Sequence, residues 1–262
     1  ADKAGEIIAT RRAQAAKTFR NRNSYNVLLD AVQAAVDKPF DEGIAHERSL
    51  SSQVERAVEG RAFRHLFFSE RELRKIPGLP ADVKARKVAS VGIVGAGTMG
   101  GGIGMCFANA GIPVSLVDAR QEALDRGLAT IRKNYERSVS RGSLKPEQLE
   151  QRLALIVPTL DYAALADADL IVEAVFENMA LKKEIFAKLD AVAKPGAILG
   201  TNTSTLDIDE IAAVTKRPQD VIGLHFFSPA NVMRLLEIVQ CAKTAPDVVM
   251  TALDIARTIK KV

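Results

Sequence analysis

The chain of 262 residues has no tryptophan, only 5% aromatic residues, two cysteines and three histidines. Each shortage excludes something. Cys106 and Cys241 stand too far apart to suggest the disulfide framework that staples small secreted domains. His46, His65 and His225 form no clustered zinc pattern, so no metal is expected. No apolar run reaches the roughly 18 to 20 residues that cross a bilayer, so no membrane span is expected. Ala1-Asp2-Lys3-Ala4 lacks the apolar core of a signal peptide, and an intracellular setting is the resulting expectation. What the chain does have is 47% hydrophobic and 26% charged residues, enough to bury a sizeable core in more than one folding unit.

The sequence pI of about 9.1 raises the question of nucleic acid. Residues 1–88 hold 17 Lys+Arg against 12 Asp+Glu, a net of +5; subtracting from totals of 36 and 32 leaves 19 against 20, or −1, for residues 89–262. The surplus lies in segments such as Arg11–Arg22 and Arg71–Lys75, which read as solvated helix faces. No nucleic-acid partner is expected, and the residual attraction suits a phosphorylated small molecule.

Val27, Leu28, Ala31, Val32, Ala35 and Val36 recur at helical spacing, a second helix is expected from Asp41 to about Arg61, and a third through Phe63, Leu66, Phe67 and Leu73. Ile76-Pro77-Gly78-Leu79-Pro80 cannot continue a helix. The expected organisation is therefore a helical segment over 1–76, a linker over 77–86 and a second domain over 87–262. In that domain short apolar runs alternate with amphipathic ones. Strands are expected at Ser90–Val94, Val114–Val117, Leu155–Val157, Leu170–Val175, Ile198–Thr201 and Val221–His225, with helices at Met99–Asn109, Gln121–Ser140, Asn178–Ala193 and Asp207–Val214. The fold class is α/β, a Rossmann-type doubly wound parallel sheet preceded by an α-helical segment.

Val91-Gly92-Ile93-Val94-Gly95-Ala96-Gly97-Thr98-Met99-Gly100 sets a G-x-G-x-x-G pattern between a strand and a helix. Gly95 takes the tight turn, Gly97 leaves room for a pyrophosphate, and Gly100 lets helix and strand pack closely. Backbone N–H groups near Thr98 and Met99 then face the phosphates at the positive end of the helix dipole. Asp118 stands eighteen residues beyond Gly100, at the end of the next apolar run. A carboxylate there accepts the adenosine ribose hydroxyls and repels a 2′-phosphate, so NAD is the expected cofactor.

Ser204 and His225 follow or end the fifth and sixth expected strands, on the edge where open α/β sheets bind ligands. An imidazole suits the removal of a hydroxyl proton during alcohol oxidation, although a histidine between Leu224 and Phe226 also reads as a half-buried structural residue. Glu237 interrupts the apolar run Leu235–Val239, where burial would demand a cation such as the His225 imidazolium. As an acid on an edge strand it would instead face solvent.

Gly95–Gly100, Asp118, Val172-Glu173-Ala174-Val175-Phe176-Glu177-Asn178, Asn202-Thr203-Ser204, His225-Phe226-Phe227-Ser228-Pro229 and Glu237 together resemble the NAD domain of L-3-hydroxyacyl-CoA dehydrogenases over about 87 to 262. The resemblance implies His225 as base, Glu237 as its partner, Ser204 as a contact to the substrate oxygen, and Glu177, Lys182 and Asn202 on the cofactor side. It also implies a (3S)-3-hydroxyacyl-CoA substrate oxidised to the 3-ketoacyl-CoA. Lys38–Gly43 and Arg61–Phe68 resemble the end of the hydratase/isomerase part of bifunctional β-oxidation enzymes, without that family's hydratase glutamates. The family continues past the position of Val262 into a helical domain, so the alternative expectation is a monomeric, non-catalytic NAD-binding fragment. The resemblance implies a cytoplasmic setting in a bacterium and a peroxisomal one in a eukaryote. A third possibility, a dehydrogenase of a small free 3-hydroxy acid, would more naturally use a lysine than the His225-Phe226-Phe227 pattern.

Overall fold

The computed structural model describes residues 2–20, 22–73, 75–80 and 82–262. The chain divides into two compact units, Ala1–Ile76 and Pro77–Val262.

The first unit is helical: α1 Asp2–Thr18, α2 Ser24–Asp37, α3 Phe40–Arg56 and α4 Val58–Glu72. The second and third expected helices part at Ala57, not near Arg61. Ala57 is extended at φ −62°, ψ 154°. A Cβ on Gly60 would lie 2.1 Å from the Val54 carbonyl oxygen, so the first turn of α4 folds back tightly on the end of α3. Ile8, Ala15, Leu29 and Ala34 are buried, whereas Phe40, Val58, Leu66, Phe67 and Phe68 stay exposed.

The second unit runs β1 Val91–Val94, α5 Thr98–Asn109, β2 Val114–Val117, α6 Gln121–Ser140, α7 Pro146–Ala154, β3 Ile156–Thr159, β4 Leu170–Glu173, α8 Met179–Val192, β5 Ile198–Thr201, α9 Ile208–Ala212, β6 Val221–Phe226, β7 Leu236–Val239 and α10 Pro246–Thr258. The strands form one sheet in the order β3-β2-β1-β4-β5-β6-β7. The first six are parallel, which is the doubly wound arrangement the alternating pattern predicts. Strands β1, β4 and β5 are buried along their whole length, as strands covered on both faces must be.

The run Leu235–Val239 becomes β7, an antiparallel edge strand in which His225 stands opposite Glu237. Helices α7 and α10 lie outside the sequence expectation; each has proline in its first turn, where a missing N–H costs nothing. Leu165, Ile171, Phe186, Leu189, Leu199, Ile211 and Val221 belong to one core cluster. Arg86, expected in the linker, is fastened within the second unit. Its backbone N–H donates to Thr251 Oγ1 at 2.8 Å, and its guanidinium pairs with Asp220 at 2.7 Å and Asp247 at 2.8 Å.

Candidate functional site

The strand order reverses between β1 and β4, and the carboxyl ends of these strands open on a cleft of about 720 Å³. That volume is within the roughly 300–1,000 Å³ of small-molecule sites. Gly95, Gly97, Thr98, Met99 and Asp118 line it. Gly95 has φ +105°, a left-handed conformation that favours glycine, and a Cβ there would meet the Ala174 carbonyl oxygen at 2.7 Å. Gly97 opens α5 without a side-chain cap, and a Cβ on it would meet nothing within 4 Å. The orphan donors of that helix start therefore remain available to an anion. Gly100 does not line the cleft. A Cβ there would lie 1.7 Å from the Gly95 carbonyl oxygen, so its part is the close packing of α5 under the loop.

Asp118 directly follows β2 and fastens the same loop, its Oδ2 accepting the Ala96 N–H at 2.8 Å. Gly127, in the middle of α6, escaped the sequence reading. A Cβ on it would lie 2.4 Å from the Ala96 carbonyl oxygen, so α6 also closes down on the loop. A glycine inside an otherwise strong helix pattern is the signal that could have found it.

At the carboxyl ends of β4 and β5 lies a charge network. Glu173 and Lys182 are both wholly buried, and the Lys182 ammonium donates to both Glu173 oxygens, at 2.7 and 2.9 Å. Thr201 Oγ1 donates to Glu173 Oε2 at 2.7 Å and the Val175 N–H to Oε1 at 2.8 Å, so the carboxylate is fully engaged. Lys182 thus sits beneath the surface, not on the cleft wall where a cofactor contact was expected; its ammonium is 3.6 Å from Glu177 Oε2.

Glu177 Oε1 accepts from Thr203 Oγ1 at 2.6 Å, from the N–H of Ser204 at 2.7 Å and of Thr205 at 3.2 Å, and from Ser204 Oγ at 3.1 Å. Partial burial pushes its pKa up, but the Thr203 hydroxyl, the two backbone donors and the Lys182 charge outweigh that and bring it to about 2. Glu177 is therefore a fixed anion that clamps the segment carrying Ser204. Asn202 Oδ1 accepts the Phe226 N–H at 2.8 Å, which ties the end of β5 to the end of β6.

Next to it, His225 and Glu237 face each other across β6 and β7, and directly opposed residues on antiparallel strands present their side chains on one face. His225 Nδ1 lies 2.8 Å from Glu237 Oε2. The His225 side chain is 18% exposed and that of Glu237 52% exposed. The burial argument for Glu237 is thereby corrected: β7 is an edge strand, and the acid meets solvent while holding the imidazole. The acid that burial does force into a pair is Glu173, quoted in the sequence motif but given no role there. The Phe227 ring lies 4.6 Å from that of His225. No hydrogen bond joins Ser204 to His225 among the described residues; Ser204 is held by Glu177. Nor do the described residues contain a group of three or more candidate metal ligands, and none of their helices is long and apolar enough to cross a membrane.

Residues 90–262 match the family model described as 3-hydroxyacyl-CoA dehydrogenase, NAD binding domain. The chain is 43% identical over 239 residues to a peroxisomal bifunctional enzyme of Cavia porcellus, covering 88% of this chain and 32% of that protein. It is 35% identical over 259 residues to a peroxisomal fatty acid beta-oxidation multifunctional protein of Arabidopsis thaliana, covering 98% of this chain and 36% of that one. Among solved structures, 3-hydroxybutyryl-CoA dehydrogenase of Escherichia coli K12 matches with a TM-score of 0.66 at 41% identity, over 67% of this chain and 37% of its own. The chain thus spans about a third of the length of the curated relatives it matches.

Proposed function

This chain belongs to the family of 3-hydroxyacyl-CoA dehydrogenase NAD-binding domains, and from that premise we propose that its second unit holds NAD(H) and supplies the acid–base pair for the NAD-dependent oxidation of (3S)-3-hydroxyacyl-CoA to 3-ketoacyl-CoA in fatty-acid β-oxidation. The observation that carries the reading is the 2.8 Å contact between His225 Nδ1 and Glu237 at the carboxyl end of β6. The residues present fit the cofactor. An uncapped helix start behind Gly97 suits a pyrophosphate, and Asp118 at the end of β2 suits a ribose diol.

Bound NAD⁺ supplies the acceptor for the hydride that leaves the carbinol carbon. With Nδ1 committed to Glu237, His225 has Nε2 left to take the hydroxyl proton as the carbonyl forms. Glu237 holds the ring and offsets the charge the imidazole gains in that step. Ser204, set by Glu177, contacts the substrate oxygen. Glu177 and Asn202 act on the cofactor side, with Lys182 acting behind Glu177. The relatives of Cavia porcellus and Arabidopsis thaliana are named as peroxisomal enzymes, which supports a peroxisomal setting if the source is eukaryotic; a bacterial source would place the protein in the cytoplasm.

The test is reduction of acetoacetyl-CoA by NADH in the full-length protein. Turnover that falls in His225→Gln, with NADH still bound, supports the reading. Unchanged turnover in that variant overturns the assignment of the base.

A further inference from the structure

The Glu173–Lys182 pair and Glu177 together hold two carboxylates and one ammonium, a net charge of −1. Lys182 donates to both oxygens of Glu173 and stays 3.6 Å from Glu177. Lys182 pairs closely with the wholly buried Glu173 and more weakly, at 3.6 Å, with Glu177, so the group keeps a net charge of −1 that falls mainly on the more exposed Glu177. That charge is not free to move: four donors converge on Glu177 Oε1, and the carboxyl remains ionised down to about pH 2, against the push of partial burial, through the Thr203, Ser204 and Thr205 donors and Lys182.

Asp118, at the end of β2, takes the adenosine end of a dinucleotide laid across the strand-order reversal. The nicotinamide end then falls toward β4 and β5, whose carboxyl ends carry this network. The two forms of the cofactor differ there by one unit of charge, since the oxidised ring is cationic and the reduced ring neutral.

We propose that Glu177 is a fixed anion that weights the pocket toward the oxidised, cationic form of the cofactor, and that Glu173 and Lys182 are positioning residues that leave this charge uncompensated. The proposal rests on the NAD reading above and goes beyond it, because it assigns the network an effect on the balance between the two redox forms. In the partly screened environment of a cleft, one opposite unit charge near the ring shifts an affinity by about tenfold.

The test is the ratio of the dissociation constants of NAD⁺ and NADH, measured by titration calorimetry on this chain. Glu177→Gln should weaken NAD⁺ relative to NADH by about tenfold. Glu173→Gln should move the ratio the same way, because the Lys182 ammonium then pairs with Glu177. The double variant Glu173→Gln/Lys182→Met removes the pair as a unit, leaves Glu177 its charge, and should restore the original ratio. Asp118→Asn touches a part common to both forms and should weaken both equally. A purely structural role for the network would also lower both affinities together and leave the ratio alone.

An unchanged ratio in Glu177→Gln overturns the proposal, and so does a double variant that shifts the ratio as far as Glu173→Gln alone. Should Glu173→Gln fail to fold, Glu177→Gln decides the matter, since its side chain is about a third exposed. Failure of the unsubstituted chain to bind either form contradicts the NAD reading itself, which is a different result from binding with an insensitive ratio.

Discussion

Gly97 and Gly100 are three residues apart, one at the start of α5 and one in its first turn, yet alanine at each should fail in a different way. At Gly100 the added Cβ would lie 1.7 Å from the Gly95 carbonyl oxygen and 3.4 Å from Ile93 Cγ2. Ordinary contact needs more than 3.4 Å, so α5 or the loop must move by well over an ångström. Residues Gly100–Ala108 of α5 are buried, which leaves the helix little room to shift. Overpacking of this kind costs about 1–3 kcal/mol or more, and for a unit of this size each kcal/mol lowers Tm by roughly 2–4 °C. Gly100→Ala should therefore melt several degrees lower and lose NADH binding together with its loop geometry.

At Gly97 the Cβ would meet nothing within 4 Å, and φ −68° suits any residue. Gly97→Ala should keep the parent Tm while its methyl group occupies the space meant for the pyrophosphate, weakening NADH by about 10- to 100-fold, or ~1.4–2.8 kcal/mol. Differential scanning fluorimetry and titration calorimetry read the two quantities separately. The reasoning fails if Gly97→Ala binds NADH as the parent does, or if both variants lose the same stability.

Asp118→Ala should narrow the preference for NADH over NADPH, read by paired titrations, because the carboxylate that repels a 2′-phosphate is gone; equal binding of the two cofactors by the unsubstituted chain would sink the assignment. Glu177 has its pKa lowered from 4.5 to about 2, so the stability its ionised form contributes is fully present above pH 4.5 and fades as the pH falls toward 2. The Tm gap between parent and Glu177→Gln should accordingly close over that range, and a gap that widens on acidification contradicts the assignment. Lys182→Met alone strands the Glu173 charge in the interior and should cost about 3–5 kcal/mol in denaturant melts, whereas Glu173→Gln/Lys182→Met should recover much of the loss; equal losses in both would show that the pair is not coupled.

The parallel part of the sheet was legible because strands buried on both faces read as short, largely apolar runs between turn signals, as at Val91–Val94 and Leu170-Ile171-Val172. The elements missed were those whose pattern is set by neighbours. Helix α7 is short, with Leu149 as its one buried residue. The run forming β7 carries no mark of its antiparallel pairing. At the site, the chemistry of His225 and Glu237 could be read from residue type, but their meeting depends on cross-strand register, which the eleven intervening residues do not reveal. Burial, offered as the reason for that pair, belongs instead to Glu173: the same argument from an acid in an apolar run applies to Leu170-Ile171-Val172-Glu173, where the side chain is wholly enclosed. Lys182 was placed on the cofactor side by the family resemblance alone, and sequence spacing does not tell which face of α8 turns inward.

The most direct test of the account is the turnover of acetoacetyl-CoA with NADH by the full-length protein, compared with its His225→Gln and Glu237→Gln variants across the neutral pH range. The account predicts a loss of at least about 100-fold for His225→Gln, the low end of what a positioned general base contributes, with the NADH dissociation constant unchanged. Glu237→Gln should keep its fold and lose much of the rate. Wild-type turnover in either variant would contradict the dyad and return that residue to a structural role.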